Sequence, residues 1–328
     1  MPDVQALVNE FVNLLKKRKI EGSQATAKQT AELLRSVISH QRLPHTNQAT
    51  SLINAVRAVG EKIIDANPIA AVPPTPSSTG DSDGKSRSVE KGTRGRKLKH
   101  DVIEAVNELI QDITSCHEQI AEQAVEHIHQ NEVILTLGSS KTVFDFLCAA
   151  KEKKRSFKVF VAEGGPRYRG HLLAKELAAR GLQTTVIADS ASFAMISRVN
   201  MVIVGAHAVM ANGGVIAPIG LHMVALAARR HAVPFVVLAG SHKLCPLYPH
   251  NPHLLLNELR SPSELLDFGE FSDLMDSATG VGSLHVVNPA FDYVPPDLVS
   301  LFITGTLFEM FSENGRIVIY IYKKISLV

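Results

Sequence analysis

The sequence lacks a strong charge excess, paired cysteines and long apolar runs. Its 328 residues carry a net charge of +2, whereas nucleic-acid-binding domains usually carry a basic excess on one face. Its three cysteines, at positions 116, 148 and 245, form no C-x-x-C pair, which argues against disulfide frameworks and thiolate zinc sites. No run reaches the ~18 apolar residues of a membrane helix, and charges interrupt the first residues. These absences predict a soluble cytosolic protein that contacts neither nucleic acid nor membrane directly.

Motifs for nucleotide and metal chemistry are also absent. No G-x-G-x-x-G follows the first of the apolar runs described below, and no G-x-x-x-x-G-K-[ST] occurs anywhere. A dinucleotide or P-loop nucleotide site is therefore not expected. The 14 histidines include no i, i+4 pair beside a glutamate, the arrangement of many zinc hydrolases. We expect no cofactor and no metal.

Residues 1–67 show the apolar spacing of three amphipathic helices. Apolar positions recur at i, i+3 and i+4, which predicts an N-terminal helical bundle. Ser23 or Thr26 would cap the second helix, and Pro44 with Thr46 would open the third. No catalytic spacing occurs in this region. We expect the bundle to pack against another surface.

Residues 68–97 have the composition of a tether. Proline, serine and glycine dominate its first half, and its second half is basic. Such a segment buries too little apolar surface to fold alone, so we predict a disordered linker. Nuclear import or nucleic-acid contact is the alternative interpretation of the basic run. Helical spacing then returns over 98–130 and predicts a long helix that completes the bundle.

The apolar period changes from residue 131 onward. Short β-branched runs alternate with helical spacing, a pattern typical of right-handed crossover units and a parallel sheet. We predict an α/β fold: an N-terminal helical bundle followed by a Rossmann-like parallel-sheet domain at 131–304, with an atypical tail at 305–328. The predicted strands are 133–135, 159–161, 184–187, 201–204, 235–238 and 284–287, and the predicted helices between them are 143–150, 172–179, 191–199 and 219–231.

The loops after these strands contain the candidate functional residues. Carboxyl ends of parallel strands meet at one edge, where α/β proteins bind ligands. Serines 139, 140 and 190 could cap helices, and free amides at helix N-termini would suit the anion of a sugar phosphate. His171 and His207 could transfer protons or simply make contacts. The candidates, for an interface or a vestigial ligand pocket, are Gly138, Ser139, Ser140, Glu163, Gly170, His171, His207, Asn212, Gly213 and Lys243.

Six segments of the chain carry a resemblance to a known family. They are Val133–Thr136, Val161–Glu163, Ser197–Asn200, Ala211–Gly213, Lys243–Pro246 and Pro289–Val299. Together they resemble the regulatory subunits of eukaryotic translation initiation factor 2B, in particular those of beta type. The resemblance extends from about residue 5 to Thr304, apart from the tether.

The same superfamily includes methylthioribose-1-phosphate and ribose-1,5-bisphosphate isomerases. By the resemblance, the enzymes use a cysteine and an aspartate where this chain has Gly138 and His207. They also carry an arginine and an aspartate where it has Gly165 and Gly214. Each lost acid–base group typically costs ~10²-fold or more in rate. The resemblance therefore implies a non-catalytic protein, with an active isomerase and a sugar-phosphate sensor as alternatives.

The resemblance also implies partners. It predicts a regulatory subunit of the guanine nucleotide exchange factor for translation initiation factor 2, assembled with delta, gamma, epsilon and alpha subunits and regulated by phosphorylation of the substrate factor. The helical bundle would bind that factor and the sheet domain would dimerise, with His171 at the contact with delta. The resemblance ends at Thr304. Beyond it, the β-prone run Ile317–Ile321 would pair at a sheet edge or aggregate.

Overall fold

The chain divides into two compact units, Met1–Ser115 and Cys116–Val328. A computed structural model describes residues 4–17, 19–20, 22–41, 47–66, 91–245, 259–267, 285–305, 308–313 and 316–321. Pro44, Thr46 and residues 68–90 of the predicted tether lie outside the described residues, so the predictions made for them stay predictions. Within the described ranges, no helix is both long enough and apolar enough to cross a bilayer.

Helices form the first unit. They are α1 (Val4–Lys16), α2 (Ser23–His40), α3 (Gln48–Ala66) and α4 (Lys91–Glu122), and the short α5 (Ala124–His127) follows in the second unit. The apolar faces of α1, α2 and α3 meet in one cluster that includes Phe11, Val37 and Ile63. Polar contacts join α2 to α4, since Arg35 Nη1 donates to Asn107 Oδ1 (2.8 Å). The helical N-terminal region is confirmed.

Two details of the helical prediction are wrong. Neither Ser23 nor Thr26 caps α2: its N-cap is Gly22, and Thr26 Oγ1 donates to the Gly22 carbonyl (3.0 Å) instead. The long helix α4 starts at Lys91, not at residue 98, and ends at Glu122 before a turn at Gln123. Lysine and arginine have high helix propensity, so the basic end of the predicted tether continues the helix.

An eight-stranded sheet is the centre of the second unit. Its described strands, with those of a smaller sheet, are β1 (Val133–Leu137), β2 (Lys158–Ala162), β3 (Gln183–Ile187), β4 (Met201–Gly205), β5 (Ala208–Val209), β6 (Val215–Pro218), β7 (Phe235–Leu238), β8 (Phe291–Val294), β9 (Leu301–Ile303), β10 (Phe308–Glu313) and β11 (Arg316–Ile321). The large sheet has the order β11-β10-β9-β7-β4-β1-β2-β3. The six strands β9, β7, β4, β1, β2 and β3 are parallel to their neighbours. β10 pairs antiparallel with both β9 and β11. The parallel-sheet prediction is confirmed.

Helices cover both faces of the large sheet. They are α6 (Lys141–Glu152), α7 (Arg169–Ala179), α8 (Ser192–Met195) and α9 (Leu221–Arg230). Leu135 and Val202 are paired in register and face the core cluster that includes α9. Their neighbours Ile134 and Ile203 face the opposite cluster, formed with α6 and α7. Because both faces are buried, the strands appear in the sequence as continuous apolar runs.

Three elements of the second unit differ from the predictions. The prediction of a strand at 284–287 is wrong, because the described residues 285–287 are irregular. The chain forms strands β8 and β9 further on. The helix predicted at 191–199 is broken into the four-residue α8 between two 3₁₀ turns. The stretch predicted as a loop after β4 contains β5 and β6, which form a three-stranded sheet with β8. Edge pairing of the tail is confirmed, since β11 pairs with β10.

Candidate functional site

The switch point of the parallel sheet lies between β1 and β4. The chain runs from β1 outward to β2 and β3, then returns to β4 and continues to β7 and β9. Ligands in open α/β sheets bind where such connections diverge. Here the loops after β1 and β4 are in contact. Ser140 Oγ lies 2.4 Å from the position that a Cβ would take at Gly205. Position 205 therefore has no room for a side chain beside Ser140.

The loop after β2 is held by its own chain. Gly164 N and Gly165 N donate to the two oxygens of Asp189, at 2.9 and 2.6 Å. A Cβ at Gly170 would overlap the Ala162 carbonyl and lie 2.8 Å from Glu163 Cα. Gly138 has a φ of 67° and donates its amide to Ala162 (3.1 Å). The glycines of this edge thus permit close contact between neighbouring loops.

Glu163 and His171 form a surface pair at the start of α7. His171 Nε2 lies 3.4 Å from Glu163 Oε2. Its ring stacks on Tyr168, with centroids 5.5 Å apart and 20° between planes. Tyr168 occupies the N-cap position of α7 in a left-handed conformation. His171 is exposed and Glu163 is partly buried, which suits a contact surface centred on the histidine.

Asn212, Gly213 and Gly214 form a turn that packs on β8. Asn212 Nδ2 donates to the Tyr293 hydroxyl (2.8 Å), and Gly214 N donates to Asn212 Oδ1 (2.9 Å). Gly213 has a φ of 81°. A Cβ at Gly214 would overlap the Tyr293 ring and hydroxyl. Tyr293 therefore occupies the space that a side chain at position 214 would need.

His207 lies beside the same small sheet. Its ring centroid is 4.6 Å from that of Phe291, and its amide donates to the Ile216 carbonyl (2.8 Å). His207 thus packs on Phe291 of the small sheet, whereas His171 stacks on Tyr168 and pairs with Glu163 at the start of α7.

Some backbone amides at this edge already donate within the chain. Asp292 accepts from Gly220 N (2.7 Å) and His222 N (3.2 Å) at the start of α9. Asp189 accepts from the loop amides of Gly164 and Gly165, which precede α7. The serine caps are wrong: Ser140 stands at the N-cap of α6 but makes no capping hydrogen bond, and Ser190 lies within a 3₁₀ turn. Ser139 is exposed in the loop after β1.

A buried basic cluster surrounds Lys243, one of the candidates, and its other members, Cys116, His117 and His242, were not among the predicted site residues. Lys243 is 6% exposed and its Nζ donates to the Ala206 carbonyl (2.9 Å). His117 Nδ1 is hydrogen-bonded to Thr142 Oγ1 (2.8 Å), and Cys116 Sγ lies 3.8 Å from His242 Nδ1. Burial lowers the pKa of Lys243 to about 8 and, with the Lys243 charge, the pKa values of His117 and His242 to about 4. Burial raises the pKa of Cys116.

The cluster has the chemistry of a structural core. At neutral pH the two histidines are neutral, and their Nε2 atoms are buried without a hydrogen-bond partner. In the part of the chain that the structure describes, no group of three or more His, Cys, Asp or Glu side chains is arranged to hold a metal. In the sequence, only the Gly-Ser-His-Lys run after β7 pointed to this cluster. Its contacts with Cys116 and Ala206 could not be predicted, because these residues are far away along the chain.

The six parallel strands, the switch point and the loops at the carboxyl edge define a Rossmann-like α/β protein. The sequence model of the initiation factor 2 subunit family matches residues 19–306, and the chain belongs to this family. The resemblance inferred from the loop motifs is thereby confirmed.

Curated relatives of two kinds are similar to the chain. It is 51% identical over 209 residues to translation initiation factor eIF2B subunit beta of Dictyostelium discoideum, covering 64% of this chain and 52% of that protein. It is 33% identical over 369 aligned positions to the Schizosaccharomyces pombe protein of the same name, covering 91% of each. It is 27% identical over 304 residues to ribose 1,5-bisphosphate isomerase of Pyrococcus furiosus, covering 90% of this chain and 88% of the enzyme. The first alignment spans about half the length of its relative.

A solved structure gives the same fold. A chain in the crystal structure of the tetrameric eIF2B-beta2-delta2 complex from Chaetomium thermophilum is 26% identical and superposes with a TM-score of 0.69. The match covers 93% of this chain and 90% of that one. It supports the order of elements described above, a helical region followed by a parallel-sheet domain.

Proposed function

We propose that this chain is a non-catalytic, beta-type regulatory subunit of the exchange factor that reloads translation initiation factor 2 with GTP in the cytosol. The observation that carries the proposal is the family match over residues 19–306, joined to relatives named as beta subunits. Its partners would be the delta, gamma, epsilon and alpha subunits and initiation factor 2. The helical region would contact the substrate factor, and the sheet domain would join the neighbouring subunits.

The closed carboxyl edge supports the non-catalytic part of the proposal. An aspartate at position 214, which the isomerase resemblance implies, would overlap Tyr293. A cysteine at position 138 would have space, but the φ of 67° is unfavourable for any L side chain. Asp189 and Asp292 already accept four backbone amides of this edge, those of Gly164, Gly165, Gly220 and His222. The candidate residues of this edge therefore act as loop architecture.

A sugar-phosphate isomerase or sensor is the second candidate, favoured by the similarity to ribose 1,5-bisphosphate isomerase. Ligand binding to the native state raises the apparent stability. We expect no change in melting temperature with ribose 1,5-bisphosphate or methylthioribose 1-phosphate at millimolar concentration. A concentration-dependent rise would support the second candidate.

Native mass spectrometry tests the proposal directly. The tagged chain is co-expressed with delta, gamma and epsilon subunits, beside a version that ends at Thr304. We expect a stoichiometric heteromer that contains the chain. A lone monomer or homodimer from both versions would contradict the proposal and favour the sugar-phosphate candidate.

The contact of His171 with delta gives a sharper test. Its exposed ring lies beside Tyr168 and Glu163, so His171→Asp would place two carboxylates within a few ångströms at the proposed contact. We expect loss of delta from the heteromer in the same native spectra. His129→Asp is the matched control, because His129 is exposed at the opposite edge of the sheet, before β1. Normal assembly of the His171 variant would refute this contact.

A further inference from the structure

The amino edge of the parallel sheet at β1, β2 and β3 lies opposite the candidate site and carries many cations. At this edge α6 ends, β2 begins and α7 leads into β3. The cations are Lys151, Lys153, Lys154, Arg155, Lys158 and Arg180, all exposed except the half-buried Arg155. They are called the amino-edge cations below.

The turn between α6 and β2, which carries three of these cations, is fixed to the segment before β1. Asn131 N donates to the Ser156 carbonyl (2.7 Å). Gln130 Nε2 donates to the Lys154 carbonyl (3.2 Å), and Ser156 N donates to Gln130 Oε1 (2.8 Å). The cationic side chains of the turn therefore extend from a backbone that is held on both sides.

Charge at this edge is unbalanced. The whole chain has 34 lysines and arginines against 32 aspartates and glutamates. The six amino-edge cations have three carboxylates beside them, those of Glu126, Glu132 and Glu152. Among the residues that the structure describes, none of the amino-edge lysines takes part in an ion pair. The expectation that the chain contacts no nucleic acid used the net charge, which averages out such a local excess.

The helix dipole explains only part of this excess. Lys151 lies in the last turn of α6 and Lys153 is its C-cap residue, where cations are favourable. Lys154 lies beyond the helix with a φ of 62°, a conformation that glycine adopts at no steric cost. Lys158 is the first residue of β2, and lysine is depleted in strands. At these last two positions the local backbone does not favour a lysine.

The composition of the edge favours a phosphate backbone as the partner over a protein. Specific protein interfaces have an apolar centre, whereas none of the large apolar side chains exposed in the described residues lies at this edge. Phosphates require only cations. Single-stranded nucleic acid is normally bound by stacking on exposed aromatic rings. Here Phe157 is buried, and the Phe144 ring lies 5.7 Å from the Arg180 guanidinium, so a duplex fits better than a single strand.

We propose that the amino-edge cations bind the phosphate backbone of double-stranded RNA without reading its sequence. The choice of RNA over DNA rests on the proposed function, a factor of translation in the cytosol. Duplex RNA is commonly recognised through its shape and phosphates. Because five of the cations are exposed, the surface would neutralise only a few phosphates, and binding should be weak and strongly dependent on salt.

The test measures fluorescence anisotropy of a labelled RNA duplex of about 20 base pairs, long enough for a protein that spans two minor grooves. The full chain is titrated into the duplex over a range of KCl concentrations. We expect a dissociation constant in the micromolar range at about 50 mM KCl. Affinity should fall by about 50- to 150-fold between about 50 and about 200 mM, as three or four phosphate contacts require.

Two variants of the full chain test the site itself. Lys154→Gly removes a cation and places glycine where φ is 62°, so the fold should be kept. Lys158→Gln removes the cation at the start of β2. Each should raise the dissociation constant by about fivefold and lower the salt slope by about 1. Lys141→Gln is the matched control, because Lys141 is an exposed lysine at the start of α6, on the opposite edge of the sheet.

Circular dichroism and melting temperature establish that each variant is folded. Wild-type affinity in folded Lys154→Gly and Lys158→Gln would overturn the proposal. An equal loss in Lys141→Gln would also overturn it, since attraction would then be spread over the whole molecule. Abolished binding in a Lys85→Gln, Arg87→Gln double variant would assign the RNA to the basic run of the predicted tether instead.

Two further measurements separate this inference from its neighbours. A DNA duplex of the same length should bind more weakly than the RNA duplex, and equal binding would overturn the choice of RNA. Native mass spectrometry of the same variants with the delta subunit tests the proposed function separately. We expect the heteromer to form in all of them, because assembly does not use the amino edge in our proposal. If the wild type binds the duplex but forms no heteromer, the proposed function fails while the amino-edge site stands.

Discussion

At the scale of single residues, His117 and His242 give the second unit a specific sensitivity to acid. Both have folded pKa values of about 4, below the ordinary 6.5, because burial and the Lys243 charge disfavour protonation. Between pH 6.5 and 4 the unfolded chain therefore binds more protons, and stability falls as the pH falls. We expect each histidine to lower the free energy of unfolding by up to about 3 kcal/mol over this range. Urea titrations at pH 7, 6, 5 and 4 measure the loss.

Substitution separates this effect from general acid denaturation. His117→Gln removes one titrating group and retains a hydrogen-bonding side chain beside Thr142, so its stability should fall less between pH 6.5 and 4. His129→Gln removes an exposed imidazole and serves as the control. An unchanged pH profile in the His117 variant would show that this histidine does not carry the effect.

The sequence identified most of the site residues but not their roles. Asn212, Gly170 and Lys243 were selected because they follow strands, which the alternating apolar pattern located. Their partners are Tyr293, the Ala162 carbonyl and the Ala206 carbonyl, and the first of these lies 81 residues away along the chain. Which loop touches which is fixed by strand order, and local pattern contains no information on that order. Strand order likewise decides which loop amides find an acceptor within the chain, as Gly164 N and Gly220 N do.

At the scale of elements, the helix α7 depends on one glycine at its start. A Cβ at Gly170 would overlap the Ala162 carbonyl and lie 2.8 Å from Glu163 Cα, so backbone must move. Gly170→Ala should lower the free energy of unfolding by about 2 kcal/mol or more, as overpacking does. Gly60→Ala, in α3 with open space around it, should instead raise it by up to about 1 kcal/mol. Chemical denaturation of both variants measures the contrast.

A Gly170→Ala variant with unchanged stability would contradict the close packing of α7 on β2.

The secondary-structure elements also show what apolar periodicity can predict. Strands β1, β2, β4 and β7 were found because they are buried on both faces and therefore continuously apolar. Strands β5 and β6 were missed because they flank the Asn212-Gly213-Gly214 turn, a composition typical of a loop. The helix α9 was located within the predicted range 219–231, but its apolar residues Met223 and Leu226 lie on the exposed side.

At the scale of the whole molecule, the tail adds a hairpin to one end of the parallel part of the large sheet. Among the residues whose side chains the structure describes, the two large core clusters extend to Ile303, and the family match ends at residue 306. The hairpin β10–β11 pairs with β9 through residues 301–303. Its removal therefore deletes backbone pairing at one edge and leaves the described core clusters intact.

A version of the chain that ends at Thr304 should consequently fold with a cooperative transition. We expect its far-UV spectrum to lose only strand signal, because every described helix precedes the cut. The cut also replaces the six-residue edge strand β11 by the three-residue edge strand β9, and short edges promote association less than long ones. Light scattering should therefore show less self-association than in the full chain. Loss of the cooperative transition would mean that the hairpin is required for folding, and increased self-association would mean that β9 is the more adhesive edge.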